Sequence, residues 1–274
     1  MLGQILCNQL QHKKINCLQD AEFRIFSQWG DDGIIQHLIR AVKEKLPQTF
    51  IEFGVENYME SNTRFLLIHN NWKGLVLDSS LENIDFIRKN SIYWKHNLIA
   101  KSAFVTVENI ESLVEDSNLG KEIGLLHIDI DGNDYWVWKA IVKIKPVIVI
   151  MEYNSVFGMD RAITIPYNPT FNRTKAHFSN LYFGASLLAL CGLAEQKGYY
   201  FVGCNSNGNN AYFIRKDQIA DIQIVTPENG YVLSQFRESR DENYNLSYVS
   251  GLQRLKLIQG LPVWNTQSEK TELI

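Results

Sequence analysis

Short apolar runs, many of them β-branched, alternate along the first 215 positions with segments in which apolar residues recur every three or four positions. The runs predict buried strands at residues 49–55, 74–78, 97–105, 123–130 and 146–152. The periodic segments predict helices at residues 34–45, 62–70, 82–89, 107–116, 134–142 and 184–197. This alternation is typical of right-handed βαβ units, whose helices cover both faces of a parallel sheet.

A hairpin closes the alternating region. Residues 199–204 and 210–215 have strand character, and the polar loop of residues 205–209 joins them. The whole pattern predicts an α/β fold. We expect a Rossmann-like, mostly parallel sheet of seven strands, with helices on both faces and an antiparallel last strand.

Three segments depart from this rhythm. Residues 1–25 show no firm pattern and are expected to form an N-terminal arm. Residues 155–180 are rich in proline turns and aromatic residues, and they interrupt the domain predicted for residues 26–216. A loop of this length usually forms a lid or a binding loop. Residues 217–274 are mixed in character, and we expect an extension packed on the same domain.

Composition excludes several classes of function. The formal net charge of −3 provides no basic field for nucleic acid or an anionic membrane surface. The four cysteines form no C-x-x-C pair, so neither a zinc site nor a disulfide framework is favoured. The longest apolar run, residues 147–151, is too short to span a membrane, and residues 1–14 lack the apolar core of a signal peptide. We therefore expect a cytoplasmic protein.

The segment from 125 to 138 carries the most chemistry. His127, Asp129 and Asp131 are two positions apart at the end of a buried strand, so at strand spacing their side chains share one face. Gly132 allows a turn, and Asn133 is a suitable N-cap for the helix that follows. Ligands bind at the carboxyl ends of strands in open parallel sheets, so these acids are candidate site residues.

Other strand ends also carry acids: Glu52, Asp78 and Glu152 each stand at the carboxyl end of a predicted strand. Upstream, Gly30 and Gly33 enclose two acids in a predicted turn. If the turn lines a cleft, the polar groups there would come from Gln28 and Asp31.

The loop after the first strand is unsuited to a pyrophosphate. It has only Gly54 where a dinucleotide fold needs three glycines, and Glu56 and Glu60 would repel phosphate. S-adenosylmethionine has no phosphate, and carboxylates favour its sulfonium and ammonium groups. Its ribose diol still needs an acid at the end of the second strand, where Asp78 stands. The pattern predicts S-adenosylmethionine rather than NAD.

Eight short motifs lie within residues 26–215: SQWGDDGII at 27–35, FIEFGV at 50–55, ESNT at 60–63, GLVLD at 74–78, HIDIDGNDY at 127–135, EYN at 152–154, PY at 166–167 and YFGASL at 182–187. Together they resemble the class I, S-adenosylmethionine-dependent methyltransferases, near the bacterial FkbM-type enzymes. The glycine loop departs from the common G-x-G-x-G form.

The resemblance implies the seven-strand methyltransferase fold and a set of cofactor contacts. Glu52 and Gly54 would lie at the methionine end, Asp78 at the ribose, and residues 102–104 near the adenine. The full expected cofactor-binding set is Glu52, Gly54, Asn62, Asp78, Ser79, Ser102, Ala103 and Asp129. The family does not fix the acceptor, because its members differ.

Two routes for methyl transfer remain open. In the first, Asp129, Asp131, Glu152 and Asn154 bind Mg²⁺ or Mn²⁺, which holds the acceptor oxygens and lowers the pKa of the hydroxyl. In the second, Asp129 or His127 is a general base that works without a metal.

The insert at residues 155–180 offers further candidates. His177 could close over the site as a further catalytic residue, and Tyr167, Phe171 and Arg173 would cover the acceptor.

The expected function is O-methylation of a small polar acceptor, such as a surface-glycan sugar or its precursor, in a chain that could form a homo-oligomer. The Asp129-x-Asp131 pair also suggests a metal-dependent glycosyltransferase that uses a nucleotide-sugar, although Glu52 and Asp78 would then face the phosphates. An oxidoreductase that uses NAD is disfavoured by the glycine loop, and a non-catalytic ligand-binding protein would keep the same fold.

Overall fold

The computed structural model describes all 274 residues. Ten strands are present: β1 (Thr49–Phe53), β2 (Lys73–Asp78), β3 (Leu98–Ser102), β4 (Glu122–Ile128), β5 (Lys145–Glu152), β6 (Ile163–Thr164), β7 (Tyr199–Cys204), β8 (Asn210–Arg215), β9 (Pro262–Asn265) and β10 (Lys270–Leu273). Seven of them form one sheet in the order β3-β2-β1-β4-β5-β8-β7. Only β8 runs antiparallel to its neighbours, so the predicted fold class is confirmed.

Eleven α-helices connect or flank these strands: α1 (Leu2–His12), α2 (Asp31–Ala41), α3 (Arg64–His69), α4 (Leu81–Lys89), α5 (Ser91–Lys95), α6 (Ile110–Glu115), α7 (Asp134–Ala140), α8 (Arg173–Ala176), α9 (Leu187–Lys197), α10 (Pro227–Gly230) and α11 (Leu252–Leu257). None of them is long and apolar enough to cross a membrane.

The sheet separates two apolar cores because successive side chains of a strand point to opposite faces. On β1, Phe50 packs into the core formed with α2, α3, α4 and α5, whereas Ile51 and Phe53 pack into the core formed with α6, α7 and α9. Both faces of the sheet are therefore covered, which explains why its central strands read as nearly continuous apolar runs.

Element boundaries differ from the predicted ones where polar side chains bind the backbone. Helix α2 begins at Asp31, three residues before the predicted start. One oxygen of Asp32 accepts hydrogen bonds from the backbone N–H groups of Ile25, Phe26 and Ser27 at 2.7–2.8 Å. This buried carboxylate folds the preceding loop back over the start of the helix.

The arm and the C-terminal segment are both packed on the rest of the chain. Residues 2–12 form α1, whose Cys7 and Leu10 are buried. The insert contributes β6, which pairs with β9 and thus joins the three-stranded sheet β10-β9-β6. A third apolar cluster lies here and includes Ile163 and Ile165 of the insert and Val263 of the C-terminal segment. The insert and the C-terminal segment therefore support each other.

The chain reverses its direction of strand addition between β1 and β4, which are neighbours in the sheet but distant in sequence. Gly54 follows β1 with a φ of +74°, and a Cβ built there would lie 1.7 Å from the carbonyl oxygen of Asp129. Only glycine allows this approach of the two strand ends. The crevice at such a reversal point is where open α/β sheets bind ligands.

We predict that Gly54→Ala lowers the free energy of unfolding by roughly 2–4 kcal/mol, because the added methyl group meets backbone and the φ is unfavourable for alanine. Urea unfolding followed by circular dichroism measures the change. Gly192→Ala is the matched control, since no atom lies within 4 Å of a Cβ there and the residue is inside α9. The control should be neutral or stabilising. Equal effects of the two variants would contradict the close approach at Gly54.

Candidate active site

A cavity of about 490 Å³ lies at the carboxyl ends of the central strands, over the point where the strand order reverses. It is rich in acidic residues, and Arg173 is the only arginine or lysine that lines it. The acidic residues are Asp31, Glu52, Glu56, Glu60, Asp78, Asp129, Asp131, Glu152 and Glu238. The cavity therefore favours a cationic or neutral ligand over an anionic one.

Glu52, at the end of β1, is fully buried and fully paired. One oxygen accepts from Ser61 Oγ at 2.6 Å, from the Thr63 N–H at 3.1 Å and from the Thr63 hydroxyl. The other accepts from the Asn62 N–H and from His127 Nδ1, both at 3.0 Å. The carboxylate thus fastens residues 61–63 and the His127 ring to the end of the sheet.

The charges of this buried pair stabilise each other. Burial acts to raise the pKa of Glu52, but the hydrogen bond and charge of His127 and the hydrogen bonds from Ser61 and Thr63 outweigh it, so that pKa is lowered. Burial acts to lower the pKa of His127, but the Glu52 carboxylate outweighs it and that pKa is raised. His127 Nε2 lies 3.2 Å from the side-chain nitrogen of Asn62. Both ring nitrogens therefore have protein partners.

Asp78, at the end of β2, organises the loop after β1. One oxygen accepts from the Glu56 N–H at 2.7 Å, and the other accepts from the Ser80 N–H at 2.8 Å and from Asn83 Nδ2 at 3.1 Å. The oxygen bound by Glu56 has one donor and keeps lone-pair capacity, whereas the other oxygen already has two donors. Ser79 and Ala103 line the cavity beside Asp78, whereas Ser102 does not.

Asp129, which is partly buried, and Glu152, which is buried, differ from Glu52, Asp78 and Asp134 because neither makes a hydrogen bond to the protein. Glu152 is 7% exposed, and its Oε2 is buried without a partner. Burial, together with the charges of Asp129 and Asp131, raises the pKa of Glu152 well above its usual value. Burial and the nearby charge of Asp131 raise the pKa of Asp129 to about 7. Unpaired buried carboxylates are costly, so their retention in a cavity indicates a ligand-binding role.

The expectation that His127, Asp129 and Asp131 share one face is wrong for Asp131. Strand β4 ends at Ile128, and Asp131 has a φ of +55°, so the chain has turned before this residue. The Asp131 carboxylate is half-exposed at the cavity rim and forms an ion pair with Arg173. The turn is held by Asp134, whose two oxygens accept from the N–H groups of Ile130 at 2.8 Å and Gly132 at 2.9 Å.

The predicted metal ligands are not assembled as a set. Asn154 does not line the cavity, because its amide nitrogen donates to the carbonyls of Leu181 at 2.9 Å and Phe183 at 3.0 Å and so holds the end of the insert. The carboxylates that do converge are Asp129, Asp134 and Glu152, with one oxygen of each within 4.8 Å of the others. Of these, only Asp129 and Glu152 have no other partner.

His177 lies away from the cavity, so its predicted placement over the site is wrong. Its Nδ1 is 2.8 Å from Ser179 Oγ, and burial lowers its pKa. Tyr167 is also outside the cavity, where its hydroxyl contacts Glu108 and the Val107 N–H. Phe171 does line the cavity, as expected of the insert.

Arg173 lines the cavity, and its positive charge is already paired with the carboxylates of Asp131 and Glu238. Its guanidinium pairs with Asp131, donates from Nε to the carbonyl of Asn180 at 2.7 Å and lies 3.7 Å from Glu238. The same guanidinium stacks over the ring of Phe183 at 3.9 Å. These contacts fix the insert to the turn after β4.

The turn before α2 also lines the cavity, through Gln28 and Asp31. Sequence reasoning missed Asn210, at the start of β8, and Phe236 and Glu238 of the C-terminal segment, all three of which line the cavity. Asn210 pairs in register with Glu152, so its position follows from the antiparallel hairpin. No motif marks Phe236 or Glu238.

No protein-family model and no curated protein sequence matches the chain significantly. Similar folds occur among solved structures. They include the N-terminal domain of EvdMO1 with S-adenosylhomocysteine bound, at 10% identity and a TM-score of 0.43, matching 77% of this chain and 94% of that one. A second is an O-methyltransferase from Bacillus cereus in complex with S-adenosylhomocysteine, at 12% identity and a TM-score of 0.42, matching 77% and 89%.

A third is a putative caffeoyl-CoA O-methyltransferase from Staphylococcus aureus, at 14% identity and a TM-score of 0.46, matching 78% of this chain and 99% of that one. Likenesses this distant concern the fold alone. Any activity of this chain has to be argued from its own residues.

We predict that Asp129→Asn stabilises the protein at pH 8 by roughly 1–3 kcal/mol, because it removes a buried carboxylate without a partner. The folded-state pKa of Asp129 is raised from 3.8 to about 7, so the native state holds the proton more tightly than the unfolded state. The free energy of unfolding of the wild type therefore falls relative to that of the variant as pH rises from about 4 to 7. Above pH 7 the difference between the two proteins is constant.

Urea unfolding at pH 5 and pH 8 measures this gap in the free energy of unfolding between the variant and the wild type. Asp160→Asn is the control, because Asp160 is exposed and lies outside the cavity. The control should show no gap that depends on pH. A gap for Asp129→Asn that is equal at both pH values would contradict the raised pKa.

Proposed function

We propose that this protein is an S-adenosylmethionine-dependent O-methyltransferase. The observation that carries the proposal is the pair of unpartnered carboxylates, Asp129 and Glu152, in an acidic cavity over the strand-order reversal. A sulfonium donor brings positive charge to these groups, whereas a phosphate-bearing donor would meet like charge and find Arg173 already engaged.

The donor would lie across the ends of β3, β2, β1 and β4. Asp78 would accept from a ribose hydroxyl through the oxygen that binds only the Glu56 N–H, with Ser79 beside it, and Ala103 would contact the adenine. Gly54 has no side chain, so the donor could approach the backbone closely where the ends of β1 and β4 meet. Ser102 is left out of this arrangement because it does not line the cavity.

Glu52 has a different role from the one its strand position implied. Both of its oxygens already accept hydrogen bonds from the protein, so we assign it to positioning residues 61–63 and His127 rather than to direct contact. Asn62, which is held by this carboxylate, would present polar groups to the methionine end of the donor.

Asp129 would act as the general base. In the reaction an oxygen–carbon bond forms as the carbon–sulfur bond breaks, and the hydroxyl proton passes to the Asp129 carboxylate and then to solvent. A base with a pKa of about 7 is well matched to this transfer near neutral pH. His127 would position Asn62 rather than take the proton, because its ring nitrogens are engaged with Glu52 and Asn62.

Asp129 and Glu152 also fit a divalent cation such as Mg²⁺ or Mn²⁺, because both are unpartnered carboxylates whose oxygens lie near each other. Such an ion would act as a Lewis acid on the acceptor hydroxyl. Asp131 and Asn154 are left out of this ligand set, since their side chains are bound elsewhere.

The acceptor would be a small polar molecule, with a sugar or sugar-linked compound as the leading class. Carboxylate and amide oxygens suit hydroxyl donors, and Phe171 of the insert and Phe236 of the C-terminal segment offer apolar faces to a sugar ring. A nucleotide-sugar glycosyltransferase is the weaker candidate, because its diphosphate would need free basic groups that this cavity does not offer.

We predict that Asp78→Asn weakens binding of S-adenosylhomocysteine by about 10- to 100-fold, the loss typical of hydrogen bonds to a charged group. Isothermal titration calorimetry with S-adenosylhomocysteine, NAD and UDP measures affinity and specificity. Asp85→Asn on α4, whose residue is exposed, should bind like the wild type. Binding of UDP without binding of S-adenosylhomocysteine would overturn the methyltransferase proposal.

The metal route gives a separate expected outcome. If a divalent ion is required, EDTA abolishes methyl transfer to any accepted hydroxyl compound, and Mg²⁺ or Mn²⁺ restores it. Asp129→Asn should bind S-adenosylhomocysteine within about threefold of the wild type and lose turnover by either route. Activity that is unchanged after EDTA assigns the proton transfer to Asp129 alone, and an active Asp129→Asn variant would contradict both routes.

A further inference from the structure

Two buried oxygens beside the proposed reaction centre have no partner. Asp31 Oδ2 and Asn210 Oδ1 make no hydrogen bond, although Asp31 is 1% exposed and Asn210 is 3% exposed. Both residues line the cavity, and Asn210 pairs in register with Glu152. We call these two side chains the Asp31–Asn210 subsite.

The free oxygen of Asp31 is held rigidly. The other oxygen accepts from Asn210 Nδ2 at 2.9 Å, from Asn205 Nδ2 at 3.1 Å and from the hydroxyl of Tyr212. Three donors on one oxygen fix the carboxylate and leave the second oxygen as a preorganised acceptor. The bond from Asn210 Nδ2 also orients the Asn210 amide and joins that side chain to Asp31.

The subsite lies beyond the reach assigned to the methyl donor. Neighbouring strands are about 4.8 Å apart, so β5 lies about 14 Å and β8 about 19 Å from β2, where Asp78 would hold the ribose. The methionine part of a donor held at Asp78 would end near β1 and β4. The ends of β5 and β8 are therefore left for the acceptor.

The two oxygens of the subsite that lack a hydrogen bond require hydrogen-bond donors from the ligand. Each needs an N–H or O–H group, and because one oxygen belongs to a carboxylate, a positive charge is favoured. The only arginine in the cavity is bound to Asp131, Asn180 and Glu238, so an acidic acceptor finds no counterion.

We propose that the Asp31–Asn210 subsite binds the acceptor through an ammonium group, received by Asp31, and a neighbouring hydroxyl, received by Asn210. The acceptor is then an amino sugar or a similar amine-bearing polyol. This inference rests on the proposed methyltransferase function and narrows its acceptor class.

The test measures acceptor binding to the protein saturated with S-adenosylhomocysteine, by ligand-observed NMR titration. The probes are methyl glucosaminide, methyl glucoside and methyl glucuronide, which share one ring and differ in charge. We expect the glucosaminide to bind about 10-fold or more tighter than the glucoside, since a charge-assisted hydrogen bond is worth roughly 1.5–3 kcal/mol, and the glucuronide to bind weakest.

Asp31→Asn should remove the preference for the glucosaminide and leave affinity for S-adenosylhomocysteine and for the glucoside within about threefold. Glu238→Gln is the matched control. It removes one negative charge from the same cavity at a half-exposed side chain, and it should keep the preference. Asn210→Ser is a second variant and should weaken the glucosaminide and the glucoside alike.

The outcomes separate the two proposals. If the wild type binds S-adenosylhomocysteine but shows no preference for the glucosaminide, the inference is overturned and the methyltransferase proposal stands. If Asp31→Asn weakens S-adenosylhomocysteine instead, the subsite belongs to the donor and the inference is also overturned. A wild type that does not bind S-adenosylhomocysteine at all refutes the methyltransferase proposal itself.

Discussion

The site depends on which carboxylates form hydrogen bonds within the protein and which remain free to bind a ligand. Glu52 collects donors from three consecutive residues and from His127, and in doing so it joins β1, β4 and the start of α3. Asp32 and Asp134 do the same for the loops on either side. Both carboxylate oxygens of Glu52 and Asp134, and one oxygen of Asp32, accept hydrogen bonds from the protein, and these bonds offset the cost of burial and fix the walls of the cavity.

Among the acids that line the cavity, Asp129, Glu152 and one oxygen of Asp31 receive no donor from the protein. Backbone N–H groups nearby are instead bound by Glu52, Asp78 and Asp134. Ionisation of Asp129 and Glu152 is opposed by burial and by the neighbouring acids, as their raised pKa values reflect. The cavity therefore stores unfavourable electrostatic energy that a cationic or donor-rich ligand relieves.

The insert and the C-terminal segment complete this environment without adding free charge. Arg173 neutralises Asp131 at the rim and is held by Asn180 and Phe183, so it shapes the wall and does not attract anions. The insert is in turn fixed by the β6–β9 pairing to the C-terminal segment, which supplies Phe236 and Glu238 to the cavity. The C-terminal segment, expected from the sequence to be an extension, therefore forms part of the cavity wall.

The sequence by itself determined the α/β sheet, because the alternation of apolar runs and helical periods depends on local spacing and burial. It also located Glu52, Asp78, Asp129 and Glu152 at strand ends, since the ends of parallel strands meet at one edge. Only the tertiary structure decided which of these acids are paired. Hydrogen-bond donors such as Ser61, Asn62 and Asn83 reach their acceptors through loop conformation, and spacing does not encode that conformation.

The same reason explains the residues that were misplaced. Asp131 turned away because the chain leaves strand geometry after Ile128, and Asn154 was diverted to backbone carbonyls of the insert. Asn210 and Glu238 joined the cavity through a hairpin register and a distant segment. A sequence pattern specifies which face of an element is buried, whereas the partner of each polar atom is chosen by contacts between segments far apart in the chain.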